Sequence, residues 1–184
     1  MQARVLFLLG SARAEGNTER LARVAATALP AGAEARWLRL ADLPLEPFTD
    51  LRHAGAAYPQ PAGHAAQLLE ATLWASDLVV AAPTYWFSLP APVKLYLDHW
   101  SGWMRVPGLD FKARMAGRRL WAITVNSDEP GEDGGSGPLL RTLELTADYM
   151  GMRFGGAVVG HGSRPGDVER DEAALAAARR LLAG

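Results

Sequence analysis

Short apolar runs alternate with longer stretches of helical spacing along the 184 residues of this chain. The apolar runs predict strands at residues 5–9, 36–40, 78–82, 120–125 and 156–159. Several of these are nearly continuous in Val, Leu, Ile and Ala, the pattern of strands buried on both faces. Apolar positions three and four apart predict helices over 18–29 (Leu21, Val24, Ala25, Ala28), 64–76 (Leu68, Leu69, Thr72, Leu73), 138–150 (Leu139, Leu143, Ala147, Met150) and 168–182 (Leu175, Ala178, Leu182). A shorter helix is expected after Pro92. The order βαβαβαβαβα implies an α/β chain with one doubly wound parallel sheet of five strands, in three α/β/α layers. Right-handed crossovers leave few windings, of which 2-1-3-4-5 is the common one. The length fits a single domain spanning residues 1–184. The long irregular stretch 44–63 carries Pro44, Pro47, Pro59 and Pro61, and reads as a functional cover or a mobile segment.

In a sheet of this order the crevice lies at the carboxyl ends of the first and third strands, where the winding reverses. Three loops reach it: 10–17, 83–90 and 124–137. The first, "GSARAEGN", is longer than the roughly 2 to 6 residues that a strand-to-helix connection needs. Ser11, Arg13, Asn17 and Thr18, with the free N–H groups of a helix start, suit a phosphate, and Arg13 adds a charge-assisted bond. The loop is not a Walker A motif, because Asn17 stands where Lys is required, nor is it G-x-G-x-x-G. Its plain alternative is a solvated loop with Asn17 as helix cap. The second loop puts Tyr85, Trp86 and Phe87 directly after a buried strand. Exposed aromatic surface normally finds a partner, either a planar ligand, the rest of the domain or a second subunit. Lys94 and Asp98, one helical turn apart, read as a surface ion pair.

Composition narrows the chemistry. A net charge of −1 gives no basic footprint for nucleic acid. The absence of cysteine removes disulfides, thiolate nucleophiles and Cys-ligated zinc or iron–sulfur clusters. His53, His64, His99 and His161 lack metal-ligand spacing, and the acidic run Asp128, Glu129, Glu132 and Asp133 does not fit a calcium loop. No metal is expected. With a strand starting at once and no membrane-length apolar run, the expectation is a cytoplasmic protein without a membrane partner.

Two segments, "GSARAEGNTERLA" and "PTYWFSLPAPVKLYLD", taken in this order and separation, resemble the NAD(P)H-dependent FMN reductase family of flavodoxin-like proteins. Its relatives include quinone reductases and iron–sulfur flavoproteins, and the lack of cysteine excludes the latter branch. The resemblance implies a flavodoxin-like fold and FMN as cofactor. It puts the FMN phosphate on Ser11, Arg13, Asn17 and Thr18. The isoalloxazine would run along Pro83, Thr84, Tyr85, Trp86 and Phe87, with its pyrimidine end near Thr124, Asn126 and Ser127. The 124–137 loop departs from the Thr-Gly-Gly form of some relatives. The implied reaction passes a hydride from NAD(P)H to FMN and on to a small acceptor such as a quinone, flavin, azo or nitro compound. The chemistry is then the cofactor's, and no side chain is expected to be catalytic. Trp100, Trp103 and Tyr58 are expected as outer walls of the slot or as core. The clustering of Trp86, Phe87, Trp100 and Trp103 predicts a homodimer or a higher even oligomer. Two other classes remain: a one-electron carrier of flavodoxin type, against which the near-neutral charge speaks, and a non-enzymatic binding module of the same fold.

Overall fold

The computed structural model describes residues 2–55, 57–128 and 135–183. Of the acidic run, Glu129, Glu132 and Asp133 lie outside the described residues. Five strands, β1 (Arg4–Leu9), β2 (Glu34–Arg39), β3 (Asp77–Ala81), β4 (Arg119–Asn126) and β5 (Arg153–His161), pair in parallel in the order β2-β1-β3-β4-β5. The helices are α1 (Asn17–Ala26), α2 (Gly63–Trp74), α3 (Ala91–Trp103), α4 (Phe111–Met115), α5 (Gly137–Tyr149) and α6 (Glu172–Leu181). This is the doubly wound, flavodoxin-like architecture expected from the alternation of patterns.

The period-2 alternation of strand side chains divides the core between the two faces of the sheet. Leu6, Leu8, Leu78, Val80 and Leu120 point to one face and meet Leu68 of α2, Tyr96 of α3 and Leu139 and Leu143 of α5. Phe7, Leu9, Val79, Ile123 and Val158 point to the other and meet Leu21 of α1 and Ala174 and Ala178 of α6. β3, central between β1 and β4, is buried throughout. β2 is an edge strand and only half buried, and its cover comes from Trp37, which stacks on Phe7 at 3.9 Å with the Arg23 guanidinium 3.7 Å over its ring.

Four expectations are corrected. β2 starts earlier than residue 36 and stops at Arg39, because Leu40 turns into a 3-10 segment, Leu40–Asp42. β5 runs from Arg153, not 156: an added Cβ at Gly155 would lie 2.6 Å from the Trp121 ring, so the glycine is what lets that ring cover the strand. The helix at Pro92 is not short, running from Ala91 through Trp103, since it buries Val93, Tyr96, Trp100 and Trp103 along one side. The last helical pattern splits into a 3-10 turn, Asp167–Arg170, and α6, where the Asp171 side chain accepts from the Ala174 N–H as N-cap.

The described residues of the stretch 44–63 are tied to α2 and α3. His64 Nδ1 contacts the Pro44 carbonyl at 3.0 Å and His99 Nε2 contacts the Glu46 carbonyl at 2.8 Å. The Tyr58 hydroxyl donates to Asp50 Oδ1 and accepts from the Leu51 N–H. Tyr58 and Phe48 lie over Gly102, and a Cβ there would come within 3.2 Å of the Tyr58 ring. Tyr58, Trp100 and Trp103 are therefore packing residues, with the two tryptophans edge-on to Tyr96 and Phe111 at 5.4 to 5.8 Å. None of the three lines the cavity at the carboxyl edge of the sheet. Among the described residues no helix is long and apolar enough to cross a membrane.

Candidate functional site

The loops that leave β1, β3, β4 and β5 at the carboxyl edge of the sheet enclose a cavity of about 220 Å³. From the first loop it is lined by Ser11, Arg13, Gly16, Asn17 and Thr18, from the second by Pro83, Thr84 and Tyr85, and from the third by Val125, Asn126 and Ser127. Trp86, Phe87 and Thr124 do not line it. Thr124 is fully buried one layer beneath, while Trp86 and Phe87 stand out in solvent at 93% and 63% exposure.

The first loop is shaped by a buried carboxylate. Glu19, in the first turn of α1, accepts from the Glu15 N–H at 3.0 Å, from Arg39 at 2.6 Å and from Arg23 at 3.1 Å. Arg39, at the end of β2, also donates to the Arg13 carbonyl at 2.8 Å. Burial alone would raise the Glu19 pKa, but the bonds from Arg39, the Glu15 N–H and Arg23 outweigh it and hold the carboxyl below its ordinary value. The first intrahelical N–H bond runs from Arg20 to the Gly16 carbonyl, so the N–H groups ahead of it face the cavity end of the helix with the positive end of its dipole. The N-cap is Gly16 and not Asn17. The Asn17 amide instead bridges to the loop after β5, donating to the Gly162 and Arg164 carbonyls at 3.3 and 2.9 Å and accepting from the Gly166 N–H at 2.8 Å.

That fourth loop contributes Gly162, Ser163 and Pro165 to the cavity, which the sequence reading missed. A signal existed: "GHGSRPGD" is a Gly/Ser/Pro cluster at the end of a predicted parallel strand, and all such ends share one edge of the sheet. Gly162 also permits a close approach, since a Cβ there would lie 2.8 Å from Asp167 Cβ and 3.0 Å from Asn17 Nδ2.

The second loop makes a tight reversal. Tyr85 and Ser88 exchange both backbone hydrogen bonds, at 3.1 and 3.0 Å, across Trp86 and Phe87, whose φ values are +49° and +63°. Positive φ at both central positions is a type I′ geometry that Asn and Gly normally supply, and bulky residues there are strained by roughly 1 to 2 kcal/mol each. The Phe87 ring lies over Gly135, where a Cβ would fall 2.3 Å from its Cδ1. Strain of this kind persists only where the surroundings enforce it and collects at functional sites.

Between the second and third loops runs a polar seam: Thr84 Oγ1 is 2.9 Å from Thr124 Oγ1 and 2.8 Å from Ser136 Oγ, and Asn126 Nδ2 donates to Ser136 Oγ at 3.0 Å. The titratable side chains lining the cavity, among the described residues, are Arg13 and Tyr85. At about 220 Å³ the cavity is smaller than the roughly 300 Å³ at which pockets begin to enclose a whole drug-sized ligand. A cavity of this size suits the anionic end of a longer molecule better than the whole of one, with Tyr85 and the strained turn beside it. The donors at the helix start, Arg13 and the ring wall fit a phosphate ester carrying a planar ring, as FMN does.

A family model described as flavodoxin-like fold matches residues 3–183. The chain is 37% identical over 180 residues, 97% of its length and 96% of the relative's, to YwqN of Bacillus subtilis (strain 168), whose name gives it as an NAD(P)H-dependent FMN-containing oxidoreductase. Among solved structures it is similar to the Trp repressor binding protein from Bacillus subtilis, with a TM-score of 0.76 and 33% identity over 97% of each chain. The fold is also that of the NAD(P)H:quinone oxidoreductase from Methanothermobacter marburgensis, with a TM-score of 0.67 at 18% identity over 100% of this chain and 96% of that one. With the sheet order and the family match in agreement over nearly the whole length, the chain belongs to the flavodoxin-like family.

Proposed function

We propose that this chain is a single FMN-binding domain that acts as an NAD(P)H-dependent oxidoreductase on a small acceptor. One observation carries the reading: the N–H donors of a helix start, the Arg13 side chain and the Tyr85 ring meet at the switch point of the sheet, in one cavity. FMN bound there would take a hydride from a nicotinamide and pass reducing equivalents to a quinone, flavin, azo or nitro compound. YwqN, 37% identical, is named for NAD(P)H and FMN, which supports the cofactor and the donor.

The protein's own part is positional. The N–H groups ahead of Arg20 and the Arg13 guanidinium would hold the phosphate, and the Glu19–Arg39 pair keeps that loop in shape. Pro83, Thr84 and Tyr85 would flank the ring on one side, and Asn126 and Ser127 on the other. Among the described residues no histidine lines the cavity, so no imidazole is placed there to exchange a proton with the ring. A compartment that supplies NAD(P)H, the cytoplasm, follows from this reading.

The turn at Tyr85, Trp86 and Phe87, exposed by 45, 93 and 63%, is the proposed seat of a second copy of this chain. Covering it would bury apolar surface and close the open side of the site in one step. Trp100 and Trp103 take no part, since both are core. The test is to add FMN to purified protein, measure binding, and follow NAD(P)H oxidation with and without a quinone. Tight binding and acceptor-dependent turnover are expected, while binding without turnover would point to the electron-carrier class.

A further inference from the structure

The polar seam beneath the cavity has a direction, and one backbone group sets it. The Asp128 N–H donates to Asn126 Oδ1 at 3.2 Å. A backbone N–H cannot accept, so that side of the amide is its oxygen. His161 Nδ1 lies 3.1 Å from the same oxygen and 3.1 Å from the Asp128 carbonyl. Facing two acceptors, it carries a hydrogen and enforces the same orientation. The Asn126 nitrogen is thereby turned to Ser136 and donates to its Oγ at 3.0 Å.

Ser136 is buried, and among the described residues Thr84 Oγ1, 2.8 Å away, is the acceptor within reach of its hydroxyl hydrogen. Thr124 is fully buried and has the same acceptor, at 2.9 Å. Thr84 Oγ1 therefore accepts from both, which occupies its two lone pairs. Its own hydrogen is left to point into the cavity that it lines. The reverse arrangement, Thr84 donating to Thr124, would leave a buried hydroxyl hydrogen unpaired.

We infer that Thr84 is a dedicated hydrogen-bond donor to an acceptor atom on the ring of the bound cofactor, with Asn126, Ser136 and Thr124 fixing its polarity. The inference rests on the FMN reading. The flavin ring offers carbonyl oxygens and ring nitrogens as acceptors and one N–H as donor, and a wall that can only donate selects an acceptor edge. Asn126, whose amide is held from both ends, is on this account a positioning residue.

The experiment titrates FMN into the wild type, Thr84→Val, Thr84→Ser and Asn126→Asp. The readouts are the dissociation constant from flavin fluorescence and the infrared carbonyl bands of the bound FMN. Thr84→Val should weaken binding about threefold to tenfold, the value of one hydrogen bond, and shift the bands, while Thr84→Ser should retain both. Asn126→Asp puts an acceptor where a donor stood, turning the Ser136 hydroxyl back upon it. Thr84 can then donate to Ser136, and the bands should shift as in Thr84→Val with Thr84 still present. A wild type that binds no FMN would overturn the cofactor reading. A wild type that binds FMN, with Thr84→Val unchanged in affinity and bands, would overturn the inference alone. Bands unmoved by Asn126→Asp would overturn the assignment of polarity to Asn126.

Discussion

Arg39 grips the first loop and the helix that follows it at once: its Nη2 donates to Glu19 Oε2 of α1 at 2.6 Å while its Nη1 donates to the Arg13 carbonyl at 2.8 Å. The side chains are 17% and 9% exposed, so the pair is shielded from solvent screening. Removing one partner leaves a charge with little water to replace it. Arg39→Ala should cost about 3 kcal/mol in urea denaturation, the lower end for a broken buried pair. It should also weaken FMN binding, because the loop loses its tether.

The same pair predicts an acid dependence. The Glu19 carboxyl is held below its ordinary 4.5 by Arg39, the Glu15 N–H and Arg23 against the opposing effect of burial. A depressed folded-state pKa gives stability that is fully present above the unfolded value and is lost as pH falls through the folded one. The wild type should therefore lose stability on acidification below about pH 4.5 more steeply than Glu19→Gln. Denaturation midpoints at a series of pH values compare the two, and parallel curves would remove Glu19 as a source of the acid response.

Arg13 and Asn17 should behave differently, although the sequence puts both on the phosphate. Arg13→Ala deletes a charge-assisted donor worth about 1.5 to 3 kcal/mol of FMN affinity and should leave the apoprotein's stability nearly unchanged. Asn17→Ala releases the loop after β5 at Gly162, Arg164 and Gly166, and should lower apoprotein stability as well. Isothermal titration together with thermal melts of the apoproteins separates the two. Equal melting points for the variants would show the Asn17 bridge to be without weight.

The strained turn predicts a trade of stability against assembly. Trp86→Gly relieves a positive φ at a bulky residue and should stabilise the isolated chain by roughly 1 kcal/mol. The same change removes the most exposed large apolar side chain and should weaken self-association, seen by sedimentation velocity over a concentration series. A wild type that stays monomeric at every concentration would end the proposal of a second copy on this turn.

Much of this was legible in the pattern of the chain. Continuous apolar runs placed β1, β3 and β4, and the alternation with helical spacing gave the sheet order, because burial on both faces leaves a signal that needs no tertiary knowledge. The edge strand β2 and the glycine-bearing β5 were misjudged at their ends. Their strand character comes from the neighbouring ladder and from contacts between distant stretches, Phe7 on Trp37 and Trp121 on Gly155, which no local window contains. Three loops of the site were legible from the switch-point rule. The loop after β5 left a signal in its Gly/Ser/Pro run, whereas the Glu19–Arg39 pair and the seam from His161 to Thr84 were not legible, since each joins residues that meet only when the sheet is assembled. Trp100 and Trp103 show the opposite failure: a cluster in sequence suggested a surface, and the helix turned both into the core.

The most direct test of the central claim is stopped-flow reduction of FMN bound to the purified protein, with NADH and NADPH as donors and a quinone added afterwards. The account predicts rapid bleaching of the bound flavin by one of the two donors and its return on adding quinone. The reduction rate should be nearly flat between about pH 6 and 8, because no histidine lines the cavity among the described residues. Protein that binds no FMN, or binds it and is not reduced by either nicotinamide, would contradict the account.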